Sequence, residues 1–140
     1  GSRSSRSPAE PMPSIFTRII HGEIPCHKVG EDERFLAFLD INPLREGHTL
    51  VIPKIEVDKF FDLPTDVLSG IMPFAQGVAQ RIARVVPCDR VGVSVVGLEV
   101  PHAHVHLIPL DRVSDMDFNR PKLSVTPEQL AAIAERIRNV

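Results

Sequence analysis

The chain lacks the marks of a secreted, membrane-bound or cross-linked protein. Its two cysteines, Cys26 and Cys88, stand far apart, and no C-x-x-C or H-E-x-x-H spacing occurs. That rules out a disulfide framework and the commonest zinc patterns. No apolar run approaches the roughly 18 residues of a membrane-spanning helix. No secretory leader is legible, so a cytoplasmic protein is expected. An excess of one charge is missing too. Sixteen Lys and Arg against 18 Asp and Glu leave a net charge of −2. This argues against a nucleic-acid-binding surface, although a small phosphate pocket needs few charges. There is no internal repeat and no linker. At 140 residues, 43% hydrophobic and 24% charged, the chain has enough material for one domain with a real core.

Residues 1–11 read differently. Gly1-Ser-Arg-Ser-Ser-Arg-Ser-Pro8 is rich in Ser and Arg and does not begin with Met. We read it as a vector-derived or disordered tail, with Met12 the native start and 12–140 a single domain.

Ser14 can cap a short helix carrying Ile15, Phe16, Ile19 and Ile20, which stops at Gly22. A weak strand at 27–31 precedes a stronger one from Arg34 to Asp40. Asn42-Pro43 opens a turn that closes at Gly47, and His48–Ile52 returns as the next strand. Pro64-Thr65-Asp66 opens the longest helix, to about Val86, and Pro73 predicts a kink in it. Its apolar positions are so many that two buried faces are expected, one on the sheet and one on a partner subunit. Strands follow at Arg90–Val96 and His102–Ile108. Thr126-Pro-Glu-Gln129 is a capping box opening a C-terminal helix through Ile137. The pattern implies an α+β fold: an antiparallel five-stranded sheet with a short N-terminal helix, one long helix and a C-terminal helix.

The most informative stretch is Pro101-His-Ala-His-Val-His-Leu-Ile-Pro109. Three of the six histidines lie in five residues, alternating with Ala103, Val105 and Leu107. Period-two alternation is a strand signature. It sends three imidazoles to one face, roughly 6–7 Å apart, and the apolar residues to the other. Groups that titrate near neutral pH suit a site. Three readings compete: a zinc site, completed by a distant residue such as His48; nucleophilic catalysis by one imidazole oriented by its neighbours; or a solvated polar face.

The segment His102-Ala-His104-Val-His106-Leu-Ile resembles the H-φ-H-φ-H-φ-φ signature (φ apolar) of the histidine triad, or HIT, family. Earlier blocks agree: Ser14–Ile20, Gly22–Pro25, Phe35–Pro43 and Gly47–Lys54. The chain is most similar to the branch of purine-nucleoside phosphoramidate hydrolases, over roughly residues 14–110. The resemblance implies the HIT-like fold and a two-fold homodimer joined into one continuous sheet. It implies a purine nucleotide or nucleoside phosphoramidate as partner; neither nucleic acid nor membrane, no cofactor and no metal is expected.

The resemblance also implies roles. His104 would attack phosphorus and form a nucleotidyl-histidine intermediate. His102 and His106 would orient it and bind phosphate oxygens, with His48 near the phosphate. Asp40 would accept hydrogen bonds from the ribose hydroxyls. Ile15, Phe16, Ile19 and Ile41 would clamp the base. The chain departs from the branch before the triad. The family carries Gly-Gln-Ser/Thr there, and Leu98 and Glu99 replace the last two. Ser94 is the nearest polar residue upstream. Glu99 either acts as general acid towards an amine or stands in solvent. The expected function is hydrolysis of a nucleoside 5'-phosphoramidate or related nucleotidyl bond. The alternatives are a dinucleoside polyphosphate hydrolase and a nucleotide-binding module with little turnover.

Overall fold

The computed structural model describes residues 14–140, so the readings of residues 1–11 and of Met12 lie outside the described residues. The elements are α1 (Ile15–Ile20), β1 (Lys28–Glu31), β2 (Phe35–Leu39), β3 (Thr49–Pro53), α2 (Thr65–Val85), β4 (Arg90–Ser94), β5 (Val105–Leu110) and α3 (Pro127–Arg138), with 3-10 turns at Phe60–Asp62 and Val113–Met116. The sheet order is β1-β2-β3-β5-β4. Every neighbouring pair is antiparallel, so the expected α+β class is the observed one. No helix among the described residues is long and apolar enough to cross a membrane.

Alternation divides the sheet into two faces. Phe35, Ala37 and Leu39, with Val51, Val105 and Leu107, meet the buried stripes of α2 and α3 in the main core. Each Phe, Leu and Val among them contributes about 1.5–3 kcal/mol when fully buried. Leu36, Phe38, Leu50 and Ile52 point the other way and pack against Phe16 of α1. The site lies on this second face.

The helix α2 continues through Pro73, and it buries one stripe: Val67, Ile71, Ala75, Val78, Ile82 and Val85. That stripe meets both the sheet and α3, while Met72 remains 44% exposed. The last strand begins at Val105, three residues later than the histidine pattern predicts. The reason is local. The Ala103 N–H is taken by the Val57 carbonyl at 2.7 Å and cannot join the ladder, and the His102 carbonyl accepts from a side chain instead. The alternation of faces survives because this lead-in segment still sends Ala103 to the main core.

Candidate active site

Register places the site. In the β2–β3 hairpin Leu39 faces Thr49, and the next N–H, from Asp40, donates to the His48 carbonyl at 2.9 Å. Cross-strand neighbours share a face. Asp40 and His48 therefore join Phe38 and Leu50 on the α1 side. In the β3–β5 ladder Leu50 faces His106, which brings the triad to the same side. The turn between Asp40 and His48 closes at Gly47, whose φ of +90 favours glycine, and whose missing Cβ would lie 2.9 Å from Val86 Cγ2.

The histidines form a packed row, not an exposed one. His102, His104, His106 and His48 are 0%, 5%, 9% and 1% exposed. The His104 and His106 rings meet edge to face at 4.9 Å, closer than extended spacing predicts, and Phe16 lies edge-on to His104 at 5.0 Å. Phe118 covers the far end, 4.8 Å from His106.

Hydrogen bonds assign the protons. The His104 Nδ1–H donates to the His102 carbonyl at 2.7 Å, so neutral His104 keeps its lone pair on Nε2. The His48 Nδ1 accepts from the Leu44 N–H at 3.1 Å. Its Nε2–H must then donate to His106 Nδ1, 3.0 Å away. That leaves His106 with a free Nε2–H. His102 donates from Nε2 to the Pro53 carbonyl at 2.8 Å and accepts at Nδ1 from the Ser14 hydroxyl, also at 2.8 Å. Both nitrogens of His102 and both of His48 are thus engaged within the protein. No ring nitrogen of either is left free, whereas the resemblance gives His102 a phosphate contact and His48 a place near the phosphate. His102 orients His104 through its carbonyl, and His48 sits behind His106.

Ser14 serves two structures at once. Its Oγ caps α1 by accepting from the Thr17 N–H at 3.0 Å, and the same hydroxyl reaches His102. Glu56 ties this corner, accepting from the Ser14 N–H at 2.8 Å and from the Thr17 hydroxyl. These bonds hold the Glu56 carboxyl below its usual range, with the Thr17 hydroxyl first among the causes.

Burial holds His48, His102 and His106 neutral, against the expectation of groups titrating near neutral pH. Desolvation is the main cause in each case. His48 is pushed down to about 3, with help from His106, Lys122 and His104. His106 is pushed down to about 4, with His104 and Lys122 contributing. His102 is also lowered. Burial raises the Asp40 carboxyl, opposed chiefly by the Asn42 N–H, which donates to Oδ1 at 2.9 Å. Asp40 is therefore a turn residue as well as a wall of the site.

Two cavities flank the row. A small apolar one of about 130 Å³ is lined by Ile15, Phe16, Ile19, Ile41 and Asp40, so all five expected nucleoside contacts come together. Pro25, Cys26 and Phe38 also line it; Pro25 and Phe38 lie in blocks that carry the resemblance, but no site role attached to any of the three in the sequence. A larger, open one of about 700 Å³ reaches from His104 to the Lys59–Asp62 turn and the 95–101 loop, and Glu99 lies in its wall. Ser94 faces His106 across the β4–β5 ladder, on the histidine side.

Metal-ligating geometry occurs in one group among the described residues. Asp40, His48 and His106 offer three donor atoms within 4.8 Å of one another. The triad by itself is not such a group among the described residues.

A triad of buried, tautomer-fixed imidazoles beside an apolar pocket ending in a carboxylate can bind a nucleotide and attack its phosphorus. The HIT domain model matches residues 21–113. The chain belongs to the HIT family. It is 43% identical to an uncharacterised HIT-like protein of Methanocaldococcus jannaschii, over 68% of this chain and 77% of that one. It is 33% identical to an adenosine 5'-monophosphoramidase of Schizosaccharomyces pombe, over 90% of this chain and 96% of the relative. Among solved structures, a HIT-like protein from Bartonella henselae superposes with a TM-score of 0.77 at 31% identity, over 89% of this chain and 94% of that one. This HIT chain shares with it the five-stranded sheet and three helices.

Proposed function

We propose that this HIT protein hydrolyses nucleoside 5'-phosphoramidates, or a closely related nucleotidyl bond, with His104 as the nucleophile. The observation that carries the reading is the bond from His104 Nδ1–H to the His102 carbonyl, which leaves Nε2 as a neutral, oriented lone pair. Attack forms an N–P bond and breaks the bond from phosphorus to the leaving amine, which departs with a proton taken from water. Water then cleaves the nucleotidyl-histidine, releasing the 5'-monophosphate and restoring the imidazole. Splitting one displacement into two lowers each barrier. His106 Nε2–H is placed to hold a phosphate oxygen. Asp40 holds the ribose, and Ile15, Phe16, Ile19 and Ile41 hold the base. The phosphoramidase relative supports this substrate class.

The larger cavity favours an amine over a polyphosphate leaving group. Asp58, Asp62 and Glu99 line it against the single cation Lys59. An acidic wall attracts an ammonium-bearing group and repels a polyphosphate. The test is a panel of adenosine 5'-phosphoramidate and diadenosine polyphosphates, with acid-quench trapping of labelled enzyme. We expect turnover of the phosphoramidate and label on His104. Tight nucleotide binding with no turnover of either substrate would leave a binding module instead.

We also propose a homodimer through β4, an edge strand flanked on one side only. Val93 in it, and Val95 and Val96 just beyond its end, are 50%, 41% and 44% exposed. An open apolar edge invites pairing with its two-fold copy. Light scattering should give about twice the 15.5 kDa chain mass, and a monomer would refute it. The unpaired thiols of Cys26 and Cys88 suit the reducing cytoplasm where nucleotides are handled.

A further inference from the structure

The nucleotide reading leaves one electrostatic gap. A nucleotide carries a negative phosphate, yet His48, His102 and His106 are held neutral. The nearby carboxylates, Asp40 and Glu99, have the wrong sign. The segment after β5, which carries no sequence periodicity, fills that gap.

Residues 111–123 cross the open end of the histidine row and are tied down three times. Asp115, 4% exposed, accepts from Arg45 Nη1 at 2.6 Å, from Arg120 Nη1 at 3.1 Å, and from the Asp111 and Arg112 N–H groups. Arg45 belongs to the turn that carries His48, so this hub fixes the segment to the site. Phe118 then lies edge-on to His106 and also faces His48 at 6.4 Å. Finally the Leu123 N–H donates to the Pro43 carbonyl at 2.8 Å, in the same turn. Between the last two ties the Lys122 ammonium donates to the Phe118 carbonyl at 2.9 Å. A single carbonyl uses one of its three donors. Its charge is felt at Asp40, His48 and His106 alike. A phosphate held between the ribose site and the two outward nitrogens lies in that same field.

We propose that Lys122 is a phosphate-binding residue of this site, carried to the substrate by the strap of residues 111–123. It provides the positive charge that His48, His102 and His106 lack, while Phe118 and Asp115 hold the strap in register. The proposal rests on the nucleotide reading of the site. A competing role for Lys122 is charge balance for Asp40 alone. That role predicts equal effects on any ligand with a ribose, whether or not it carries phosphate.

Calorimetric binding of AMP and of adenosine separates these roles in wild type, Lys122→Met and Lys122→Arg. Lys122 is exposed, so neither variant threatens the fold, and unchanged melting temperatures check this. Losing one hydrogen bond to a charged group weakens binding by about ten- to a hundredfold. We expect Lys122→Met to weaken AMP by that factor and to leave adenosine unchanged. Lys122→Arg should keep most of the AMP affinity, because it keeps the charge. The salt dependence of AMP binding should also flatten in Lys122→Met. Equal weakening of AMP and adenosine, or weakening of neither, overturns the assignment and leaves the nucleotide reading standing. A wild type that binds neither ligand overturns the nucleotide reading, and the assignment with it.

Discussion

The four buried histidines form two regions with opposite economies of hydrogen bonding. In the inner pair, His48 and His102, every ring nitrogen is committed to the protein. In the outer pair, His104 and His106, Nδ1 is committed and Nε2 is left over. The same residue type therefore does two jobs. The inner pair consumes backbone and hydroxyl groups to fix tautomers, and the outer pair presents a lone pair on one ring and an N–H on its neighbour. A nucleophile beside a donor is what displacement at phosphorus requires. Two free imidazoles without the inner pair would sample both tautomers and lose that complementarity.

Removing members of each pair tests this division most sharply. His104→Ala should lower turnover by several orders of magnitude while nucleotide binding stays largely intact, because only the covalent step is lost. His48→Leu should cost far less, on the order of 10- to 100-fold, the usual scale for a group that orients another imidazole. His48→Gln should recover part of the loss, since its amide N–H can still donate to His106. If His48→Leu matched His104→Ala in effect, the inner and outer roles would not differ as argued.

The sequence showed the row of histidines far better than the roles within it. Alternation at 102–106 put three imidazoles on one face, and that facing is correct. Roles within the row were illegible because they depend on groups distant in the chain: the Leu44 N–H, the Pro53 carbonyl and the Ser14 hydroxyl. Ser14 was readable as a helix cap, but its second bond to His102, 88 residues away, was not. The hairpin from Arg34 to Ile52 and the capping box at Thr126 were legible from local rules, and both are present. Phe118 and Lys122 were missed because their segment has neither period, so only the fold brings them to the triad. The late start of β5 was hidden for a related reason. A histidine side chain takes a carbonyl there that strand periodicity assigns to the ladder.

Asp40 probes the border between the regions. Its Oδ2 lies 3.7 Å from His48 Nε2, while Oδ1 closes its own turn. If its main task is ribose, Asp40→Ala should weaken AMP more than its 2',3'-dideoxy counterpart. The difference should be about 1.5–3 kcal/mol for each charged hydrogen bond lost. If its main task is to steady His48, both ligands should weaken together and turnover should follow the His48→Leu pattern.

Acid titration measures the inner and outer histidines as stability. Both His48 and His106 have folded values well below 6.5, at about 3 and about 4. The unfolded chain gains protons below about pH 6.5, and the folded chain resists them until pH 4 or lower. Stability is therefore fully present above pH 6.5 and falls as pH drops through the window from 6.5 towards 3–4. Each group should cost about 2 kcal/mol by pH 5. Urea melts at pH 7 and pH 5 should show a steeper loss in wild type than in His48→Gln. Equal slopes would mean that His48 is not buried and neutral.

Chelation should produce the smallest effect, and its direction is the sharpest statement about the pairs. The atoms closest to a metal site are His48 Nε2, His106 Nδ1 and an Asp40 oxygen. The first two share one proton across 3.0 Å. A zinc ion there would have to displace that proton, because it needs the lone pairs of both nitrogens. It would break the bond by which the inner pair fixes the outer pair, and His106 would keep its outward N–H only by virtue of the metal. Activity should therefore be indifferent to a strong chelator, and added zinc should inhibit. Activity lost with the chelator and restored by one equivalent of zinc would dissolve the distinction between the pairs, with His48 and His106 becoming ligands of one metal.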